Sequence, residues 1–251
     1  NIFKMGGLRK KIPFVFWCFV IGGGALAALP IVTVGFFSKD AIIETSFAAS
    51  MKDITFAQIA FWFGIIAALL TSFYSWRLIY MTFHGKLQEP DAHGHDDHAH
   101  DDHHGHHGGK PHESPLTMLF PLVVLSVGAV LAGFFFYDSF VGHHQEAFWN
   151  GAVYSAADNT VLKDKYDVHH GGIVPGWVFY APLVVTIIGF LIATFTYLFN
   201  RGVGAKIAKT GGPLHSLFYN KWYFDEIYQA TFVRGTKVLG DFFWKTGDKK
   251  I

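Results

Sequence analysis

Four long apolar stretches, at residues 13–49, 55–83, 116–137 and 175–199, constrain the fold of this sequence more than any other feature. A membrane core about 30 Å thick is crossed by about 20 helical residues, so each stretch is long enough to span it. With 51% hydrophobic residues, the chain is too apolar for an ordinary soluble domain. Backbone polar groups inside a bilayer must bond to one another, which a helix achieves within one segment. The sequence therefore predicts an all-α membrane protein, a polytopic helical bundle.

The first stretch, 13–49, is longer than one crossing needs, and glycines and Pro30 interrupt it. It is either a tight hairpin or one discontinuous helix. The positive-inside rule favours one crossing, because only then do two basic clusters fall on the same side of the membrane. These clusters are Lys4, Arg9, Lys10 and Lys11, and Arg201, Lys206 and Lys209. Proline removes a backbone donor and clashes with the preceding turn, so the helix should break at Pro30 and restart near Val34 or Gly35.

One crossing by the first stretch fixes the sidedness of the remaining segments. Three lysines in the outer loops, Lys52, Lys163 and Lys165, reduce the charge contrast on which the rule depends. The chain starts at Asn1 without a signal-peptide layout, and we expect it to be the C-terminal part of a longer protein. The expected segments are a cytoplasmic lead-in at 1–12, outer loops at 50–54 and 138–174, a cytoplasmic loop at 84–115, and a cytoplasmic surface helix that begins within 214–251.

Just past the expected break stands the sequence GFFSKD, which ends in Lys39 and Asp40, and Glu44 follows one turn later. A lysine at the centre of a membrane helix costs about 3 kcal/mol on insertion scales, so an idle role is unfavourable. The lysine pKa responds to desolvation and to neighbouring charge, which suits a proton relay. The alternative is that Lys39 snorkels to the outer surface beside Asp40. Lys39 lies about 15 Å, at helical rise, before the end of the stretch, which makes this alternative the less favoured one.

The second apolar stretch carries further polar residues. Arg77 and His84 lie near its expected inner end, where they could join a proton pathway or reach the membrane surface. Its hydroxyl side chains could line a hydrated path or join helices by ordinary hydrogen bonds. These residues are Thr71, Ser72, Tyr74 and Ser75.

The segment at 91–114 is rich in histidines, which are interspersed with aspartates and glycines. Imidazole and carboxylate groups bind metals, but a structural zinc site would show a fixed spacing, which is lacking here. The segment is too polar to fold alone, so we expect a solvated insertion with weak adventitious metal binding. The candidate ligands are His93, His95, His98 and His100. A metal transporter would instead carry ligands inside its spans, and no span has an interior histidine.

No cofactor site is expected in this chain. Cys18 is its only cysteine, which excludes an iron–sulfur cluster and an internal disulfide. No glycine-rich fingerprint follows a strand, so NADH and flavin binding are not expected either. Basic residues stand in short loops rather than in one stripe, which argues against nucleic-acid binding.

After residue 213 an amphipathic segment carries an apolar stripe with steps of three and four. Charged residues on the opposite face make it too polar to span, so it should lie on the cytoplasmic membrane surface or pack on partner proteins. The stripe comprises Phe224, Ile227, Tyr228, Thr231, Gly235, Val238, Leu239 and Phe242, and the charged face Glu226, Arg234, Lys237 and Asp241.

The motifs KMGGL, ALP, GFFSKD and YNKWYFDEIY together resemble the C-terminal part of the antiporter-like subunit 5 family of respiratory complex I, called the L subunit in bacteria. The resemblance implies that 13–49 is the family's discontinuous helix, with Lys39 and Asp40 in the proton pathway. It also implies that a long lateral helix begins near Leu217 and runs over the neighbouring antiporter-like subunits. The family's final span, which follows that helix, and its earlier spans, which carry the family's other buried lysine and glutamate residues, are not part of this stretch of chain. The histidine-rich loop is not a general feature of the family.

By this resemblance the chain is a proton-translocating subunit of NADH:ubiquinone reductase, coupled to quinone reduction in the respiratory electron transport chain. Flavin and iron–sulfur clusters are then expected in partner subunits, and the membrane is the bacterial inner membrane or, alternatively, the mitochondrial inner membrane. The large subunit of a multisubunit cation/proton antiporter shares the broken helix and remains an alternative, whereas the lateral helix favours complex I. A purely structural subunit would require Lys39 to be dispensable.

Overall fold

A computed structural model describes residues 2, 5–30, 33–52, 54–86, 111–140, 142, 144–152, 174–200 and 202–248. Every regular element among these residues is a helix, which confirms the expected all-α fold class. The chain divides into two compact units, Asn1–Asn200 and Arg201–Ile251. The first unit holds the apolar helices, and the second holds the amphipathic segment.

Three helices of the first unit are long and apolar enough to cross a membrane, Ala57–Phe83, Leu116–Phe140 and Gly176–Phe199. The first apolar stretch forms two shorter helices of 14 and 17 residues, so neither half reaches that length alone. The helix ends lie within a few residues of the expected spans, and the membrane boundaries themselves stay predictions. The helices are α1 (Pro13–Leu26), α2 (Val34–Ser50), α3 (Ala57–Phe83), α4 (Leu116–Phe140), the short α5 (Gln145–Trp149) and α6 (Gly176–Thr194), which continues as a π-helical turn over Phe195–Phe199.

Helices α1 and α2 pack end to end along α3. Phe16 of α1 contacts Phe83 at the C-terminal end of α3, with ring centroids 5.2 Å apart. Phe47 of α2 contacts Phe61 near the N-terminal end of α3, at 5.0 Å. A hairpin would have placed both halves against the same part of α3. The two helices therefore form one broken helix that runs antiparallel to α3.

Helix α4 runs parallel to the broken helix. At one end, the Phe14 backbone N–H donates to Glu113 Oε1 at 2.6 Å, which places a carboxylate at the N-terminus of α1. At the other end, the rings of Phe37 in α2 and Tyr137 in α4 are 5.1 Å apart. Helix α4 thus covers both halves of the broken helix and the gap between them.

Helix α6 packs closely against α3. Ser72 Oγ donates to the Thr186 carbonyl at 2.7 Å, and a hydrogen bond of 2.9 Å joins the Tyr80 and Thr194 hydroxyls. A Cβ at Gly189 would lie 2.6 Å from the Leu69 carbonyl oxygen, so the small residue is what permits this approach. Small residues and side-chain hydrogen bonds are the usual means of joining helices in membranes.

The second unit is largely helical from Val203 to Asp248, with interruptions at Gly211 and at the turn that contains Lys221–Tyr223. There Lys221, Trp222 and Tyr223 have φ angles of 52°, 60° and 58°, the left-handed region that costs about 1–2 kcal/mol per residue. Lys221 Nζ donates to Asp225 Oδ2 at 3.0 Å across this turn, and the bond raises the pKa of the lysine. The surface helix thus has a break inside YNKWYFDEIY that its apolar spacing did not predict.

Beyond this turn the helix runs on to Asp248, and its apolar stripe is exposed within the second unit. The segments are α7 (Val203–Thr210), α8 (Gly212–Tyr219), the Lys221–Tyr223 turn, α9 (Phe224–Tyr228), a π-helical turn (Gln229–Val233), α10 (Arg234–Phe243) and a second π-helical turn (Trp244–Asp248). This arrangement agrees with an amphipathic helix that needs a membrane surface or a partner to cover its apolar side.

Candidate functional site

Helix α1 ends before Pro30, through its own backbone hydrogen bonds. The Leu29 N–H donates to the Gly24 carbonyl at 2.8 Å, and the Ala28 N–H donates to the Ala25 carbonyl at 3.2 Å. Ala28 has a φ of 59°, and these features together make a Schellman cap. The helix therefore ends at Leu26, a few residues earlier than the proline alone predicted, because the cap has already turned the chain.

The Leu26 carbonyl lies at the capped end of α1, and it accepts a hydrogen bond from Lys39. Lys39 Nζ donates to this oxygen at 3.0 Å, across the gap between the two half-helices. The C-terminal end of a helix carries a partial negative charge and attracts a cation. The partly exposed Lys39 side chain thus reaches back to the break rather than along α2 toward Ser50.

Close approach of the two half-helices depends on Gly35. A Cβ at this position would lie 1.9 Å from the Ala25 carbonyl oxygen. No side chain fits at that distance, so glycine lets the first turn of α2 rest on the last turn of α1. This contact sets how far Lys39 must reach.

Two buried carboxylates follow the lysine on α2, Asp40 next to it in sequence and Glu44 one turn after Asp40. Asp40 and Glu44 are 7% and 8% exposed, and each interacts with other groups of the structure. The Asp40 carboxylate acts electrostatically on Lys39. Buried ionisable groups in membrane helices are costly and concentrate at ion and proton paths.

The Tyr137 phenol on α4 belongs to the same neighbourhood, although no sequence argument singled it out. Its hydroxyl interacts electrostatically with the carboxylates of Glu44, Asp40 and Asp138. Asp138 in turn contacts His144 Nδ1, and both side chains are largely exposed. The only available sequence signal was the pairing of a tyrosine with an aspartate at the end of an apolar stretch.

The structure does not bring His84 to the lysine. Its ring packs against Phe16 and Tyr80, at 5.8 Å and 5.4 Å, beside the N-terminal half of α1. The Arg77 guanidinium lies over the Tyr197 ring at 5.8 Å, facing the end of α6. Both residues stay predictions as pathway members, and neither contacts the break in any contact described above.

The described residues contain no cluster of three or more histidine, cysteine, aspartate or glutamate side chains that could hold a metal ion. The four histidines predicted as weak ligands, His93, His95, His98 and His100, lie outside the described residues. Lys163 and Lys165 of the expected outer loop lie outside them as well.

Comparison with known proteins tests the family resemblance that the sequence motifs indicate. Residues 1–71, which contain the break and Lys39, match the protein family described as "NADH:quinone oxidoreductase/Mrp antiporter, TM". This family spans both complex I subunits and cation antiporters, so it does not separate the two alternatives by itself.

Individual relatives carry the names of NADH-quinone and NADH-ubiquinone oxidoreductase subunits. The chain is 33% identical to NADH-quinone oxidoreductase subunit L of Rhodobacter capsulatus, over 98% of the chain and 40% of that protein. It is 34% identical to subunit L of Escherichia coli K12, over 93% of the chain and 31% of the relative. It is 33% identical to NADH-ubiquinone oxidoreductase chain 5 of Phytophthora infestans, over 91% and 31%. The chain spans 40% or less of these three relatives, in their C-terminal part, and the resemblance read from the sequence is confirmed.

Proposed function

This chain is related, along nearly its whole length, to the C-terminal part of the subunit L and chain 5 family of NADH-quinone oxidoreductases, and we propose that it serves as a proton-translocating, antiporter-like membrane subunit of such a complex. In this role it couples quinone reduction, performed elsewhere in the complex, to proton movement. NADH, flavin and iron–sulfur chemistry would reside in partner subunits.

The observation that carries this proposal is the contact between Lys39 Nζ and the Leu26 carbonyl. It places a titratable amine at a helix break inside an apolar bundle, next to the buried Asp40 and on the same helix as the buried Glu44. Freed backbone at membrane depth is tolerated where it is buried or lines a watery cavity, and transporters use such half-helix ends to hold ions. The Lys39 amine would accept a proton from one side of the break and release it to the other, with Asp40 and Glu44 modulating its charge.

The neighbouring antiporter-like subunits of the membrane arm are the partners we propose, and the exposed apolar stripe of the second unit supports this. The stripe needs cover, and a surface helix that packs on neighbours would provide it. A large subunit of a cation/proton antiporter is the second candidate, which the family match to residues 1–71 also allows. The bacterial inner membrane is the proposed location, with the mitochondrial inner membrane as the alternative.

Substitution of Lys39 in the full-length subunit within its assembled complex tests the proposal. Lys39→Met keeps the apolar stem and removes the proton site, so protons pumped per NADH oxidised should fall while assembly persists. Lys39→Arg should restore little, because a guanidinium does not lose its proton in proteins. Lys52→Met, the same change at an exposed lysine just past α2, is the matched control. Normal coupling in Lys39→Met would refute the role.

A further inference from the structure

A groove of about 430 Å³ runs along α1 between α3 and α4, and its lining is almost wholly apolar. Leu26, Leu78 and Leu125 line it and are 54%, 43% and 70% exposed, so the groove opens to the outside of the described bundle. The hydroxyl oxygen of Ser75, another lining residue, is buried, so the groove offers little to water. Lipid tails are as apolar as leucine, so hydrocarbon matches this surface inside a bilayer.

Basic side chains collect at the end of the bundle where α1 begins. A turn of 3-10 helix before α1 carries Arg9 and Lys10, and Lys11 follows it. Lys86, just past the end of α3, lies at the same end, because a Cβ added at Gly6 would lie 2.5 Å from the Lys86 carbonyl oxygen. All four basic residues are exposed, and none of them forms an ion pair within the residues that the structure describes.

The groove leads toward this basic end. Lys11 lies about two helical turns before Cys18, which lines the groove on α1, and Lys86 lies about two turns after Leu78, which lines it on α3. Glu113 is an acidic group at the same end, and its Oε1 already accepts the Phe14 N–H of α1 at 2.6 Å. Four cations against one engaged carboxylate leave an excess of positive charge where the groove meets the membrane surface.

We propose that this groove holds an acyl chain of an anionic phospholipid, whose phosphate group bonds to Lys11 and Lys86. Basic pockets between membrane helices on the cytoplasmic side bind the headgroups of such lipids. Residues 1–12 are expected on the cytoplasmic side, so the lipid belongs to the inner leaflet. The site is a lipid-binding site on the bundle, and it does not depend on proton transfer at Lys39.

The length of the groove fits a lipid of one leaflet. The rise from Lys11 to Leu26 along the helix is about 22 Å, and half of a bilayer with its headgroups is about 20–22 Å thick. A phosphate group at Lys11 therefore lets the acyl chain end near Leu26, at the level of the helix break.

The width of the groove fits a hydrocarbon chain better than a protein helix. Spread over the rise of about 12 Å from Cys18 to Leu26, a volume of about 430 Å³ gives a cross-section of about 36 Å². A helix with its side chains is about 10–12 Å across, so its cross-section is at least about 80 Å². A helix could cover the groove from outside, but it could not enter it.

Photocrosslinking in the assembled complex with the full-length subunit tests the site. The complex is placed in phosphatidylcholine nanodiscs that contain a probe lipid, either phosphatidylglycerol or phosphatidylcholine, with a diazirine at the end of one acyl chain. Peptide mass spectrometry then measures the crosslinking yield on the α1 peptide that contains Cys18 and Leu26. Phosphatidylglycerol should give the higher yield, because it alone of the two probes carries a net negative charge.

Two pairs of variants separate headgroup from acyl-chain binding. Lys11→Gln with Lys86→Gln should lower the ratio of the two yields by up to about 30-fold, equivalent to about 2 kcal/mol at about 1 kcal/mol per basic group. Lys206→Gln with Lys209→Gln, at two exposed lysines of the second unit, is the matched control and should leave the ratio unchanged.

Filling the groove should instead lower the yield of both probes. A Cβ added at Gly22 meets no atom within 4 Å, so Gly22→Leu inserts its side chain without a backbone clash. Gly128 on α4 has the same open surroundings and does not line the groove, so Gly128→Leu is the control.

The wild-type complex alone can overturn the proposal, even where a variant fails to assemble. Equal yields of the two probes on α1 would mean that the groove holds bulk lipid without a headgroup site. No crosslink on α1 would mean that protein covers the groove. An unchanged ratio in Lys11→Gln with Lys86→Gln would also refute the headgroup site. None of these yields depends on proton pumping, so the test of Lys39 stays separate.

Discussion

Replacing Gly35 by alanine should separate the two halves of the broken helix. The added methyl carbon would lie 1.9 Å from the Ala25 carbonyl oxygen, whereas non-bonded atoms settle at about 3.5 Å. The first turn of α2 must therefore move by more than about 1 Å. A shift of this size would stretch the 3.0 Å bond from Lys39 to Leu26 beyond hydrogen-bond range.

We expect Gly35→Ala to destabilise the subunit by about 1–3 kcal/mol, the usual cost of overpacking. The rate of proton pumping should fall by more than the loss of folded protein alone would cause, because a misplacement of about 1 Å at a reacting group can cost about 100-fold in rate. Thermal unfolding of the purified complex and protons pumped per NADH oxidised measure the two effects. Gly128→Ala, with no atom within 4 Å of its new Cβ, is the control and should be stable. A Gly35→Ala complex with control-like stability and coupling would refute this account of the break.

Three further changes test other parts of the chain. Ala28→Gly should stabilise the subunit by about 1 kcal/mol, because glycine adopts the left-handed cap without strain, and a lower thermal midpoint would contradict the cap. Deleting residues 92–112 should leave proton translocation in vesicles intact, since so polar a segment builds no packed site, and a loss of coupling would show that the loop contributes. Introducing aspartate on the exposed stripe of the second unit should release the subunit from the complex on native gels, and full assembly would contradict an attachment role. That variant changes Phe224, Tyr228 and Phe242.

Much of the fold follows from the lengths of the apolar stretches. Helix length and bilayer thickness relate simply, so three long helices and one interrupted one could be predicted without tertiary information. The end of α1 could not, because Ala28 rather than a glycine occupies the left-handed cap position, and alanine gives no signal for it. The left-handed turn at Lys221–Tyr223 escaped prediction for the same reason.

The candidate site divides in a similar way. Lys39 could be predicted because a lysine in an apolar stretch is a compositional anomaly with a known energetic cost. Its partner could not, because the Leu26 carbonyl is a backbone atom that any residue would supply. The surroundings of Tyr137 and Ser75 are set by which helices pack against each other. Four spans with the same hydrophobic pattern can pack in several ways, so the sequence does not predict these contacts. The local sequence therefore identified the titratable group but not its surroundings.

Because Lys39 bonds to the end of α1, the protonation of Lys39 and the position of α1 relative to α2 influence each other. An ammonium group is attracted to the partial negative charge at Leu26, and a neutral amine is held there less strongly. Proton binding at Lys39 changes the free energy needed to separate α1 from α2. By thermodynamic linkage, separating the two helices changes the free energy of proton binding at Lys39 by the same amount. A strain applied to another part of the helical bundle would thus change the protonation of this lysine through the junction alone, without a charged group moving next to it.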